Sequence, residues 1–357
     1  MLGISIYLGE NKIQEQREYI NKMKEKGFTS IFTSLHIPED DPSLYKEELT
    51  QLGQIAKEED MELMADISPN SLQELDLSLD TADQLLDWGL AGLRVDYGID
   101  EDTIIKLSKQ MKIALNASTI EMESLRRLKE KGLEVSSLEA WHNFYPRPET
   151  GLGWKDFIKR NKWLKEEGLT VMAFIPGDEV LRGPLYEKLP TLERHRGYSP
   201  FASFIELKTE GYVDKILVGD IQLSDQSLEQ FQAFKEGEIC LRCQKELEVD
   251  QDFLNSLPTN HTNRADFARD VIRSVESRNY AEMGMLTIEG DNCHARPTGT
   301  ITIDNENYAR YKGEIQITVN SLPADPRVNV LGNVVEEDIP LLPYIKGNQK
   351  FSLKWIP

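Results

Sequence analysis

An alternation punctuated by glycine is what most constrains this chain. A charged amphipathic segment ends at a glycine, and a short apolar run follows: "INKMKEKG" leads into "FTSIFTSL", "LLDWG" into "LAGLRVDYG", "LRRLKEKG" into "LEVSSLEAW", "NKWLKEEG" into "LTVMAFIPG" and "KTEG" into "YVDKILVGD". Gly27, Gly89, Gly132, Gly168 and Gly211 thus stand where a helix closes with a left-handed cap before the chain enters a strand. Lysines in the preceding turns suit the negative end of the helix dipole. Adding the apolar runs without such a glycine gives eight candidate strands, at 2–7, 30–35, 61–66, 92–96, 111–115, 133–140, 169–174 and 213–218. Their near-continuous apolarity is that of parallel strands buried on both faces. Eight strand–helix units within 235 residues match the size of a (β/α)8 barrel. A dinucleotide fold would need a glycine-rich loop after the first strand, and "IYLGENK" is not one. The expectation is an α/β protein with a TIM barrel over residues 1–235.

The texture changes over 236–357. "GEICLRCQKELEV", "AEMGMLTIEG", "TGTITIDN", "YKGEIQITVNSL", "RVNVLGNVV" and "KFSLKWIP" read as short alternating strands, with one helix expected at 264–277. This predicts a second, smaller and mostly β domain. The net charge of −20 argues against nucleic acid or an anionic membrane as partner. No stretch approaches the roughly 18 apolar residues of a membrane span. The opening "MLGISIYLG" is short and lacks the basic flank of a signal peptide, so a cytoplasmic protein is expected. Three cysteines agree with a reducing compartment. Cys240, Cys243, Cys293 and His294 lack the two spaced pairs of a structural zinc site, so no metal and no cofactor is expected.

Barrel enzymes carry their chemistry at the C-terminal ends of the strands. Those positions hold Tyr7, Ser34 with His36, Asp66, Arg94 with Asp96, and Asn116. The sixth strand runs into "WHNFYPRPETGLGW", with His142, Asn143, Tyr145 and Arg147; the seventh ends at Asp178, Glu179 and Arg182, the eighth at Asp220. Each residue also has a structural reading. Asp66 ahead of Ser68-Pro69 suits a helix cap, Arg94 suits an ion pair with Asp96, and His36 suits a hydrogen-bonded loop. Several consecutive strand ends nevertheless carry carboxylates, amides and arginines. Schiff-base chemistry needs a strand-end lysine and zinc hydrolysis needs clustered histidines, and neither pattern is present. Carboxylates beside aromatic rings suit glycoside hydrolysis, and arginines suit an anionic group on the sugar.

"HNFYPRPETGL" at 142–152, "RGPLYEKLPTLERHRG" at 182–197 and the opening "LGISIYLG" together resemble the bacterial 6-phospho-N-acetylmuramidases. The resemblance spans essentially the whole chain. It implies a barrel followed by a cyclophilin-like domain, which "RPTGTITIDNENYARYKGEIQI" fits. The implied substrate is a small phosphorylated amino-sugar disaccharide, 6-phospho-N-acetylmuramic acid linked β-1,4 to N-acetylglucosamine, hydrolysed in cell-wall recycling. Site roles follow from strand-end position. Asp66, Asp96 and Asp178 are the candidate catalytic carboxylates, and Asp178 with Glu179 offers an adjacent acidic pair for assistance by the substrate's own acetamido group. Arg147 and Arg182, then Arg94 and Arg196, are candidates for anion binding. Tyr7, Asn116, His142, Asn143 and Tyr145 are candidates for sugar contacts, and Arg296 of "HARPTG" for a contribution from the second domain. Two alternatives stand beside this reading: a phosphosugar isomerase or lyase, and a carbohydrate-binding protein without catalysis.

Overall fold

The computed structural model describes residues 1–9, 13–35, 45–95, 99–277 and 287–356, so His36 and Asp96 lie outside the described residues. The chain divides into two compact units, Met1–Ser224 and Asp225–Pro357. In the first, eight parallel strands close into a barrel in sequence order: β1 (Leu2–Ser5), β2 (Ser30–Ser34), β3 (Glu62–Ile67), β4 (Gly92–Val95), β5 (Lys112–Asn116), β6 (Leu138–Trp141), β7 (Thr170–Ile175) and β8 (Lys215–Val218). Between them run α1 (Ile13–Glu25), α2 (Tyr45–Glu58), the short α3 (Pro69–Glu74), α4 (Glu101–Ser108), α5 (Met122–Glu130), α6 (Trp154–Glu166) and α7 (Pro200–Glu210).

Two local expectations shift. The sixth strand starts at Leu138 because Val135–Ser137 forms a 3-10 turn, held by Ser136 N donating to Glu134 Oε1 and Ser137 Oγ donating to Ser108 O. Gly27, Gly89, Gly132 and Gly168 have φ of +87°, +105°, +95° and +88°, the left-handed closure expected of them. Gly211 does not: its φ is −77°, and Tyr212 takes the left-handed conformation at +54°. What demands glycine at 211 is space, since a Cβ there would stand 2.5 Å from Leu207 O.

The barrel interior is layered, because side chains two apart on a strand face the same way. The middle layer is apolar: Tyr7, Phe32, Met64, Ala114, Trp141, Met172, Phe174 and Leu217 form one buried cluster, with Phe144 packed against it. Two residues earlier on β3, β5, β6 and β8 stand Glu62, Lys112, Glu139 and Lys215. These form a closed ionic network. Lys215 bonds both Glu62 and Glu139, Lys112 bonds Glu62, and Trp141 Nε1 donates to Glu139 Oε2 at 2.7 Å. Burial alone would push the Glu62 carboxyl up, but the two lysines bring it below its ordinary value.

The second unit starts with α8 (Asp225–Lys235), whose Gln230 amide donates to Cys240 O and to Asp338 Oδ2. Its seven-stranded sheet has the order β10 (Asn260–Thr262), β15 (Lys350–Trp355), β9 (Glu238–Lys245), β14 (Val328–Val334), β12 (Thr300–Asp304), β13 (Ile315–Thr318), β11 (Val271–Arg273). Only the β9–β15 pair is parallel among these. The helix expected at 264–277 is not formed as such: its centre is β11, paired antiparallel to β13 with Ile272 in the core. Arg264 N instead donates to Arg273 O beside an antiparallel Asn263–Ser274 bridge, so the start of the segment pairs back to its end, and the Arg264 guanidinium forks onto Asp266 at 2.9 and 3.0 Å. A helix forms earlier, at α9 (Gln251–Ser256), where Asp250 caps it by accepting from Phe253 N.

Candidate active site at the barrel mouth

Two residues beyond the apolar layer, the inward positions become polar: Ser34, Asp66, Arg94, Asn116 and Asn143. The β3–β4 register sets Asp66 directly beside Arg94. Arg94 Nη1 donates to Asp66 Oδ2 at 2.8 Å, and its Nη2 donates to Asn143 Oδ1. One guanidinium thus ties β3, β4 and the segment after β6 across the mouth. The pair is well enclosed, with side-chain exposures of 6% for Arg94 and 18% for Asp66. Asn116 is buried and its Oδ1 accepts from Ser118 N at 2.9 Å. On β1 the Tyr7 hydroxyl donates to Gly219 O, and the Arg182 guanidinium lies 3.8 Å over the Tyr7 ring, a cation–π contact.

Two loops rim this layer, 142–153 after β6 and 176–199 after β7, and one ion pair fastens them together. The Glu193 carboxylate accepts from Glu149 N and Gly151 N, both at 2.8 Å. Arg196 forks onto it, Nε to Oε1 at 2.8 Å and Nη2 to Oε2 at 3.1 Å. The same guanidinium donates to the carbonyls of Tyr145, Glu187 and Lys188. Arg196 holds the Glu193 carboxyl down at about 2, with the two backbone N–H groups assisting against burial. Gly151 is required, because a Cβ would lie 2.6 Å from Glu193 Oε2. The β7 loop has a second anchor in Asp220, fully buried, which accepts from Gly177 N, Arg182 N and Leu189 N. Burial raises its carboxyl above the ordinary value in spite of those bonds. Glu149, Tyr186 and Lys188 hold φ of +73°, +57° and +65°, left-handed values that these residue types adopt only where their surroundings impose them.

The structure sorts the expected site residues. Tyr7, Asp66, Arg94, Asn116, Asn143 and Arg182 gather at the mouth. Tyr145 sits half-buried on the rim, its N–H donating to Pro190 O at 3.0 Å. Arg147 is exposed, and its guanidinium has no partner among the described residues. Arg196 is fully engaged as the loop fastener rather than open to an anion. His142 turns the other way: its neighbour Trp141 points inward, so the imidazole lies under α6. There Nε2 pairs with Asn161 Oδ1 at 2.7 Å, and the ring packs 4.7 Å from Phe157. Burial lowers it to about 4, so it stays neutral at ordinary pH. Of the adjacent acids, Asp178 accepts from Ser224 N and Ser224 Oγ at 2.8 and 2.7 Å, bracing the β7 loop to the segment after β8. Glu179 is exposed and its carboxylate has no partner among the described residues. Arg296 is in the second unit, buried, with Nε and Nη2 both donating to Pro323 O.

Glu193 was not among the expected site residues, although its i, i+3 spacing to Arg196 is visible inside the 182–197 motif. No group of three or more His, Cys, Asp or Glu among the described residues is arranged to hold a metal ion. No helix among them is long and apolar enough to cross a membrane.

Comparison with known proteins bears on what such a mouth does. The solved structure of a conserved Enterococcus faecalis protein of unknown function is 44% identical, covers 99% of this chain and 96% of its own, and has a TM-score of 0.88. That of an uncharacterized B. cereus protein is 28% identical over 99% and 98% of the two chains, with a TM-score of 0.72. No curated protein is significantly similar. Models of the N-terminal and C-terminal parts of 6-phospho-N-acetylmuramidase match residues 2–233 and 239–354. With both parts matched in order over nearly its whole length, the chain belongs to the 6-phospho-N-acetylmuramidase family.

Proposed function

We propose that the protein is a glycosidase that hydrolyses the β-1,4 bond between 6-phospho-N-acetylmuramic acid and N-acetylglucosamine, in the cytoplasm, as a step of peptidoglycan recycling. The observation that carries this reading is the Asp66–Arg94–Asn143 constellation at the mouth of a barrel of this family. Hydrolysis needs a proton for the leaving oxygen, a negative charge near the anomeric carbon, and a water to replace the leaving sugar. Asp66, fixed in one orientation by Arg94, is placed to supply the negative charge. Glu179, exposed on the rim, is the candidate proton donor, with Asp178 holding its loop in place. The water's hydroxyl joins the anomeric carbon, and its remaining proton restores the donor. Asn116 and Asn143 suit the hydroxyl and acetamido groups of the sugar.

The substrate carries a phosphate and a lactyl carboxylate. Of the candidate arginines, Arg147 has a guanidinium with no partner among the described residues, so it takes the phosphate role first and Arg182 second. The test is incubation with the phosphorylated disaccharide and with its unphosphorylated analogue, following release of N-acetylglucosamine. Release from the phosphorylated compound alone is expected. Equal release from both would remove the arginine–phosphate assignment, and release from neither would remove the glycosidase reading.

A further inference from the structure

Among the described residues of the first unit, the large apolar or aromatic side chains left exposed are Met1, Met122, Val180, Leu185, Tyr186 and Tyr212. Three of them belong to one stretch of the β7 loop on the rim of the mouth: Val180, Leu185 and Tyr186 are 41%, 48% and 64% exposed. Apolar groups gathered in water mark a surface that meets something. The backbone that carries them is tied at several points. Val180 O accepts from Ile221 N and Gln222 N, and both ends of the next stretch rest on one carboxylate, as Asp220 receives Arg182 N and Leu189 N. Arg196 donates to the carbonyls of Glu187 and Lys188. The exposed groups are thus held outward by a bonded loop.

Of the three, Tyr186 is the one whose exposure the chain itself explains least. Its φ of +57° is a left-handed value that costs any residue with a Cβ and that glycine takes freely. A tyrosine offsets that cost when its ring packs, but this ring is the most exposed of the three. It touches the chain at Gly183, where a Cβ would stand 3.1 Å from the Tyr186 hydroxyl and 3.2 Å from its Cζ. Tyr212 also combines exposure with a left-handed φ, and there the fold supplies the reason. It follows Gly211 at the close of α7, and Lys162 lies 5.2 Å over its ring. No helix ends at Tyr186. A strained backbone that presents an exposed ring points to a contact outside the chain.

Its neighbours identify that contact. Gly183 follows Arg182, whose guanidinium turns inward over the Tyr7 ring, so the Tyr186 ring stands at the edge of the mouth. Glu179, the proposed proton donor, is on the same loop, next to Val180. The acid that protonates the leaving oxygen adjoins the sugar that leaves, and in the proposed substrate that sugar is the uncharged N-acetylglucosamine. A neutral sugar ring has a face of C–H groups that suits an aromatic ring with aliphatic neighbours, whereas the charged muramic half suits arginines. We propose that Tyr186, with Val180 and Leu185 on the same loop, is the platform for the leaving N-acetylglucosamine and sets the preference for a sugar on that side of the bond. This rests on the glycosidase reading of the barrel.

Two substrates test it on the full chain: the phosphorylated disaccharide, and the methyl β-glycoside of 6-phospho-N-acetylmuramic acid, which has the same kind of bond to break but no leaving sugar. Tyr186→Ala should lower kcat/KM for the disaccharide about tenfold and leave that for the methyl glycoside unchanged. Tyr186→Phe keeps the ring and should match the wild type on both. Tyr186→Gly is the sharper variant. It removes the ring and relieves the backbone, so it should resist denaturant at least as well as the wild type while losing the preference for the disaccharide. Equal losses on both substrates, or no loss on either, overturn the proposal. A Tyr186→Gly protein that is markedly less stable also overturns it, because the ring would then serve the fold. So does a change of oligomeric state in Tyr186→Ala, read by light scattering with the kinetics intact, which would assign the loop to a second copy of the chain. All of these outcomes leave wild-type hydrolysis standing. A wild-type protein that cleaves neither substrate removes the glycosidase reading itself, and the platform falls with it.

Discussion

The two ends of the barrel interior are built on the same strands and use the same kinds of side chain to opposite effect. At the N-terminal end, Glu62, Lys112, Glu139 and Lys215 are two anions and two cations that, among the described residues, pair with one another and with Trp141. Four residues further along β3, β5, β6 and β8 the positions hold Asp66, Asn116, Asn143 and Gly219. Those four positions carry a single carboxylate, paired with Arg94 of β4, and amides stand where the second ion pair would be. The aromatic layer of Phe32, Trp141 and Phe174 separates the two. Charge balanced inside a closed network fixes register and packing. Charge left with amide neighbours beneath two loops bonded to one another can engage a ligand. The difference lies in how each end is closed, since the residue types alone overlap.

Substitutions at the two ends should therefore fail differently. The largest effect is expected from Asp66→Asn, which keeps the side chain's shape and removes its charge. Hydrolysis of the phosphorylated disaccharide should fall about 10²–10⁴-fold, while denaturant unfolding shows a loss of only about 1–2 kcal/mol as Arg94 keeps its bond to Asn143. Lys215→Met should reverse the pattern. It takes from Glu62 and Glu139 the buried cation that bonds both and leaves them the more exposed Lys112, and breaking such a buried pair costs about 3–5 kcal/mol. The fraction that stays folded should still turn over at close to the normal kcat. If Asp66→Asn instead unfolds the protein, or Lys215→Met destroys kcat without touching stability, the division of labour between the ends is wrong.

Much of the barrel was legible because its cause is local. Apolar runs, glycine closures and lysine-rich last turns act within a few residues of one another, and each of the eight strands overlaps the run that carries it, none extending more than one residue beyond. The mouth was legible in position but less so in partnership. Asp66 and Arg94 stand out as strand-end residues, yet their pairing depends on the β3–β4 register, and the nearer sequence neighbour Asp96 looked the better partner. His142 was assigned to the mouth because a strand buried on both faces gives no polar–apolar alternation from which to read its inward side. The charged layer could have been noticed: an acid or a lysine opens four otherwise apolar runs, at 62, 112, 139 and 215. Arg196 shows the opposite limit. Its motif is distinctive, but only the fold reveals that five hydrogen bonds already occupy it.

That occupied arginine sets the smallest predicted effect and sharpens the comparison at the mouth itself. Glu193 and Arg196 resemble the N-terminal network in being fully paired, yet they stand among residues assigned to substrate. If they serve binding at all, they act by holding the 142–153 loop, and with it Arg147, in one place. Glu193→Gln weakens the fork while Arg196 keeps its three carbonyl partners, so the protein should remain folded. KM for the phosphorylated disaccharide should rise about 5–10-fold, corresponding to about 1–1.4 kcal/mol for a weakened charge-assisted contact, with kcat unchanged. The wild-type clamp should be insensitive to pH over the neutral range. Its contribution is fully present above the ordinary carboxyl value and fades only as pH falls toward about 2. The decisive measurement is the double variant with Arg147→Ala. Positioning through Arg147 predicts that the pair behaves like Arg147→Ala alone, because there is no longer a guanidinium to misplace. Independent, additive losses would mean that the clamp supports the fold and has no part in holding the phosphate.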